Sequence, residues 1–289
     1  MECKATWRRW LLAALMAVSI VSYARPPASA GSDIADAAQA IHTHAGAHRL
    51  ILLGELHGTR EIPELVRLLA TRYAAQGPVL LALEMPHREQ ASLNAYLSSN
   101  GDAHARATLR ARALWQRADT DHDGRRSEEM LELIEAMRVL RGQGRDVAML
   151  AYDTAADAPR NDANARDRFM AEVVRAAHGA LPRGRLLVLG GNVHAMLERP
   201  GYAPPQMPVP MGAYLRDLQP VSVRIGAAAG EFWACRQPRP CGALAVDGSP
   251  GHTGPQPMPY TFGVMLERMS VARLIGRADD AENRRAVGP

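Results

Sequence analysis

Short apolar runs recur along this chain, and each one ends on an acid, a glycine or a histidine. Leu50-Ile51-Leu52-Leu53 runs into Gly54-Glu55-Leu56-His57-Gly58, and Val79 to Leu83 runs into Glu84. Val147 to Ala151 leads to Tyr152-Asp153, and Leu186 to Leu189 leads to Gly190-Gly191-Asn192-Val193-His194. Unbroken apolar runs of this length predict strands buried on both faces. Between them, apolar residues fall at helical spacing. Ile62, Leu65, Val66, Leu69 and Tyr73 line one face of a helix expected from near Thr59, its cap, to Gln76. Met130, Leu133, Ile134 and Met137 do the same in a helix from about Ser127 to Leu140. Further helices are expected around 88–97 and 161–177, and the segment before His48 is read only as rich in small residues.

Strand and helix in alternation predict an α/β fold, a mostly parallel β-sheet covered by helices on both faces. A smaller, irregular C-terminal β extension follows. It comprises a strand at Val221 to Ile225, a small hairpin or edge excursion at Glu231 to Ala234, a glycine- and proline-dense loop over 248–259 and a last strand at Tyr260 to Leu266. The expected organisation is a leader over 1–30, a core over 31–200 with a helical insertion at about 100–126, and C-terminal strands over 201–289 that complete the same domain.

The leader rests on Lys4, Arg8 and Arg9, an apolar stretch from Leu11 to about Val21, and Ala28-Ser29-Ala30 as a cleavage site. That stretch is shorter than the roughly 20 residues that span a bilayer. An exported, periplasmic or secreted protein without a transmembrane segment in its mature form is therefore expected. The leader carries four basic residues and one acidic residue, so the formal charge of +4 falls to +1 on processing. That balance argues against nucleic acid as a partner. Of the three cysteines, Cys3 leaves with the leader, and Cys235 and Cys241 remain as an even pair, expected as a disulfide in an oxidising compartment.

An open α/β sheet gathers its ligands at the carboxyl ends of its parallel strands. The expected site is therefore Glu55, His57, Glu84 and His194, with Asp153 beside them and Arg88 as a stabiliser of an anionic intermediate or substrate. Glu55 and His57, two residues apart after a glycine turn, suit a base and its orienter, or a pair of metal ligands. Asp153 reads equally as the cap of a strand-ending turn. A carboxylate such as Glu84, ending an apolar run, needs a buried partner.

With Glu84 ending a strand between them, the two G-x-x-H turns, Gly54 to His57 and Gly191 to His194, resemble the superfamily of the haem-binding ChaN lipoproteins, the Tiki/TraB proteins and the erythromycin esterases. The resemblance spans about Arg49 to Met196 and takes in Asp123-Gly124-Arg125 and Arg166-Asp167-Arg168-Phe169-Met170-Ala171. It implies a parallel-sheet α/β fold with Glu55, His57, Glu84 and His194 in one cleft. It leaves the chemistry open, since that group holds lactone-opening esterases, metal-dependent peptidases and haem carriers.

Two further expectations concern cofactors. Asp119-Thr120-Asp121-His122-Asp123-Gly124 opens like a calcium loop, but Met130 stands at its twelfth position and belongs to an apolar stripe, so weak or absent calcium binding is expected. For a divalent metal the candidate ligands are His57, His194 and Glu84; for haem they are His194, Tyr152 and Tyr260. No H-E-x-x-H or G-x-S-x-G motif is present. The preferred function is an exported hydrolase of an ester, lactone or peptide substrate that uses a Glu/His site at the strand ends. The alternative is a haem- or iron-binding protein involved in uptake.

Overall fold

The computed structural model describes residues 33–116, 122–154, 162, 164–235, 240–246 and 253–275. Its strands are β1 (Leu50–Glu55), β2 (Val79–Pro86), β3 (Val147–Asp153), β4 (Arg185–Gly191), β5 (Val221–Ala234), β6 (Gly242–Ala245), β7 (Gly254–Pro255) and β8 (Phe262–Met269). Its helices are α1 (Ile34–Ala45), α2 (Glu61–Ala74), α3 (Gln90–Leu97), α4 (Ala103–Arg110), α5 (Glu128–Gly142), α6 (Ala165–Ala180) and α7 (Asn192–Ala195). Short 3-10 segments lie at His87–Glu89 and Met211–Leu218.

The sheet order is β3-β2-β4-β1-β5-β8-β7, with β6 pairing β5. Every pairing from β3 through to β8 is parallel, and among the described strands only β6 and β7 run antiparallel to their neighbours. Alternate residues of the central strands feed two cores, as the period of two along a strand requires. Ile51, Leu53, Leu81, Leu83, Leu187 and Leu189 join one core with the apolar stripes of α2 and α5. Leu50, Leu52, Ala82, Leu186 and Val188 join the other, with Met170, Ala171 and Val174 of α6. The α/β expectation, helices on both faces of a mostly parallel sheet with an irregular β extension, is what the structure shows.

Three local features differ from the sequence reading. The small-residue segment before β1 is helix α1, which buries Ala37, Ala38, Ile41 and Ala45 on one face. Alanine favours helix, yet it barely registers as a hydrophobic stripe. Thr59 does not cap α2: the cap position is Arg60, without a side-chain cap bond, and the Thr59 hydroxyl donates to Leu56 O instead. Residues 221–225 and 231–234 are one long strand, β5, onto whose far end β6 folds back. The insertion is helical at α4 and buries Trp115 just beyond it. At α5, Ser127 accepts the Met130 N–H as a helix cap.

Candidate active site

Sheet register places the first acids. Glu55, the last residue of β1, pairs with Gly191, the last of β4, while β2 runs along the other edge of β4 and delivers Glu84 beside them. Space there is scarce: a Cβ on Gly191 would lie 3.1 Å from His57 Nε2 and 3.6 Å from Glu84 Oε2. Beyond β1, Gly58 adopts a φ of +67°, which turns the chain away and leaves His57 facing the strand ends.

Glu84 is the hub. Its side chain is only 3% exposed, yet it is surrounded by donors. Oε1 accepts from Arg166 Nη2 at 2.6 Å and from Arg125 Nη1 at 2.9 Å, and Oε2 accepts the Gly191 N–H at 2.7 Å. His57 Nε2 lies 3.7 Å from Oε2, and His194 Nε2 lies 3.8 Å from Oε1. Burial alone would push this carboxyl upward. Arg125, His57 and Arg166 together overcome it and hold the group well below its usual range.

Each histidine has its own orienting acid. His57 Nδ1 sits 2.9 Å from Glu55 Oε1, and His194 Nδ1 sits 2.6 Å from Asp167 Oδ1, which also accepts the Met211 N–H. Nδ1 held by a carboxylate turns Nε2 towards the cleft in both cases. The pairs differ at the other nitrogen. Arg166 Nη1 lies 3.2 Å from His194 Nε2, and since a guanidinium only donates, that nitrogen accepts and Nδ1 carries the proton. For His57, burial disfavours the cation, but Glu55 and Glu84 outweigh it and raise its pKa above 6.5. The cleft thus pairs an acceptor imidazole with one biased towards the cation.

Asp153 joins the cluster. Its two oxygens take Arg166 Nε and Nη2 at 2.9 and 2.8 Å, and Arg125 Nη1 at 3.2 Å. It also accepts the Thr154 N–H, so it serves as a turn acid as well. Arg88 stands against Glu89 instead, at 3.8 Å. The guanidiniums at the strand ends are Arg125 and Arg166. Their segments carried the family resemblance, but without a role. A physical signal was available, since Arg125 precedes α5 and Arg166 lies in the first turn of α6. A cation at a helix N-terminus opposes the dipole unless acids answer it.

The cofactor expectations fare differently. Asp119 and Asp121 of the calcium-like loop lie outside the described residues, as does the leader. Asp123 is committed to Arg125, 2.6 Å from Nη2, and although burial raises its pKa, that arginine brings it down to about 2. The metal set His57, Glu84 and His194 does not suit a cation, because two guanidiniums and a backbone N–H already occupy the Glu84 oxygens. Among the described residues, no three His, Cys, Asp or Glu are grouped to hold one. Nor do the tyrosines suit haem. Tyr152 is buried and donates to Leu189 O, and Tyr260 donates to Asn192 O. The Cys235–Cys241 disulfide is present. No helix among the described residues is long and apolar enough to cross a membrane.

No protein-family model matches the chain, and no curated protein does. Solved structures do match. A Bacillus cereus protein is 11% identical over 84% of this chain and 94% of its own, with a TM-score of 0.62. An erythromycin esterase mutant in its open conformation is 12% identical over 82% and 95%, with a TM-score of 0.59. A succinoglycan biosynthesis protein is 13% identical over 80% and 91%, with a TM-score of 0.60. At such identities the likeness is one of fold: this chain has an erythromycin-esterase-like α/β fold.

Proposed function

We propose that this chain is a hydrolase of small ester, lactone or peptide substrates, working by acid–base catalysis between two histidines and without a metal. One observation carries the reading: both imidazoles, each oriented by its own acid, present Nε2 within 4 Å of opposite oxygens of Glu84. The esterase named among the structural neighbours is consistent with a small-molecule substrate.

In this reading a water between the histidines gives a proton to His194 Nε2 as its oxygen bonds to the substrate carbonyl carbon. The carbonyl oxygen takes the electron pair and is stabilised by Arg166, the more exposed of the two guanidiniums. Collapse breaks the bond to the leaving group, which takes its proton from the His57 cation. Exchange with solvent then returns the proton from His194 and recharges His57. Glu84, ionised and saturated with donors, is too weak a base for this work and acts as the fixed anion that holds both guanidiniums in place.

Export belongs to the same proposal, supported by the leader-like first thirty residues and by the disulfide. The test is turnover of an ester, lactone and peptide panel by the mature chain. His57→Ala and His194→Ala are each expected to lower kcat by about 10²- to 10⁴-fold, with dialysis against a chelator leaving the wild type unchanged. Loss of turnover on chelation, or a histidine variant as fast as wild type, would refute it.

A further inference from the structure

The turn carrying His57 and the turn carrying Arg125 are pressed against a third element. A Cβ on Gly124 would lie 2.8 Å from Gly58 Cα and 2.8 Å from Trp233 O, and a Cβ on Gly58 would lie 2.6 Å from Trp233 Cβ. Gly58 O accepts from Trp233 N at 3.3 Å and from Ala272 N at 2.9 Å. The Trp233 indole N–H donates to His122 O at 2.7 Å, and its ring stands edge-on to the His122 imidazole. Trp233 is itself held in the β5–β6 ladder opposite Ala243, beside the disulfide. His122 to Arg125 and His57 to Gly58 therefore meet on one residue, far from both in sequence.

We infer that Trp233 is a positioning residue for the acid–base site, fixing the spacing of the His57 imidazole and the Arg125 guanidinium on either side of Glu84. Its effect on turnover rests on the hydrolytic reading; its effect on geometry does not. Trp233 touches Gly58, His122 and Gly124, so it acts through the two turns. The charged groups facing His57 are Glu55 on β1, Glu84 on β2, and Arg125 and Asp123 on the 122–126 turn. When the indole is removed, the turn loses its anchor at His122 O, and the Arg125 and Asp123 charges shift together relative to His57.

The test follows the His57 imidazole by NMR titration, alongside steady-state kinetics and thermal unfolding. Trp233→Ala should move the His57 midpoint by about half a pH unit or more from its wild-type position. It should also lower kcat about tenfold with KM within about twofold, as a displaced catalytic group does. Trp233→Phe, which keeps an aromatic ring against His122 but loses the N–H bond, should fall between wild type and Trp233→Ala. A lower Tm with unchanged His57 midpoint and unchanged kcat would overturn the inference and leave Trp233 a packing residue. If the wild type turns over nothing on the panel, the hydrolytic reading fails by itself, and the titration still decides the role of Trp233.

Discussion

At the residue scale the strand-end acid Glu84 governs the site because of what surrounds it. Glu84→Gln keeps the shape but leaves Arg125 and Arg166 short of a counter-charge in a buried setting. Destabilisation of about 3 kcal/mol is expected, read by denaturant unfolding. The titrating pair also fixes a pH window. His57 has a raised pKa in the fold, so its contribution to stability is complete below pH 6.5 and is lost as pH rises through the folded midpoint. Glu84 has a lowered one, so its contribution is complete above pH 4.5 and is lost as pH falls through its folded midpoint. A Tm-versus-pH curve should therefore peak between these limits, and His57→Gln should remove the decline on the alkaline side. Glu55, His57, Glu84, Asp153 and His194 were readable because each closes or follows an apolar run, whereas Asp167, in the first turn of α6, gave no such signal. The arginines were not readable either, because only the folded packing shows which carboxylates answer them.

At the element scale the strands were legible because burial on both faces demands unbroken apolar runs, and α2 and α5 because large side chains mark their stripes. Helix α1 was not, because its stripe is mostly alanine. The close fit of β4 against its neighbours yields a test by double substitution. A Cβ on Gly190 would collide with the Tyr152 hydroxyl, which donates to Leu189 O, and would come within 3.0 Å of Glu84 Oε2. Gly190→Ala should therefore destabilise by about 1–3 kcal/mol, the range for overpacking. In the Tyr152→Phe background the hydroxyl is gone, and Gly190→Ala should be less destabilising by 0.5 kcal/mol or more. Purely additive effects in urea unfolding would show that the collision is not what limits the position.

At the scale of the whole molecule, the parallel sheet was foreseeable from alternation, but the path of the C-terminal third was not. Nothing in the local pattern of residues 231–234 shows that they continue β5, or that Trp233 reaches the first turn of the core. The disulfide beside it closes a short loop, and removing it through Cys235→Ser with Cys241→Ser should lower stability by about 2 kcal/mol. Thermal unfolding with and without a thiol reductant would check the value, since reductant should move the wild type and leave the double variant unmoved. Beyond β8 the backbone makes one more circuit of the site: Ala272 N bonds to Gly58 O, Glu128 N to Arg273 O, and Ile275 N to Arg126 O. A ribosome issues residues in order, so both acid–histidine pairs are complete long before this closing segment is made. A nascent chain held at any earlier length has both acid–histidine pairs but not the segment that ties the Gly58 turn to the Arg126 turn.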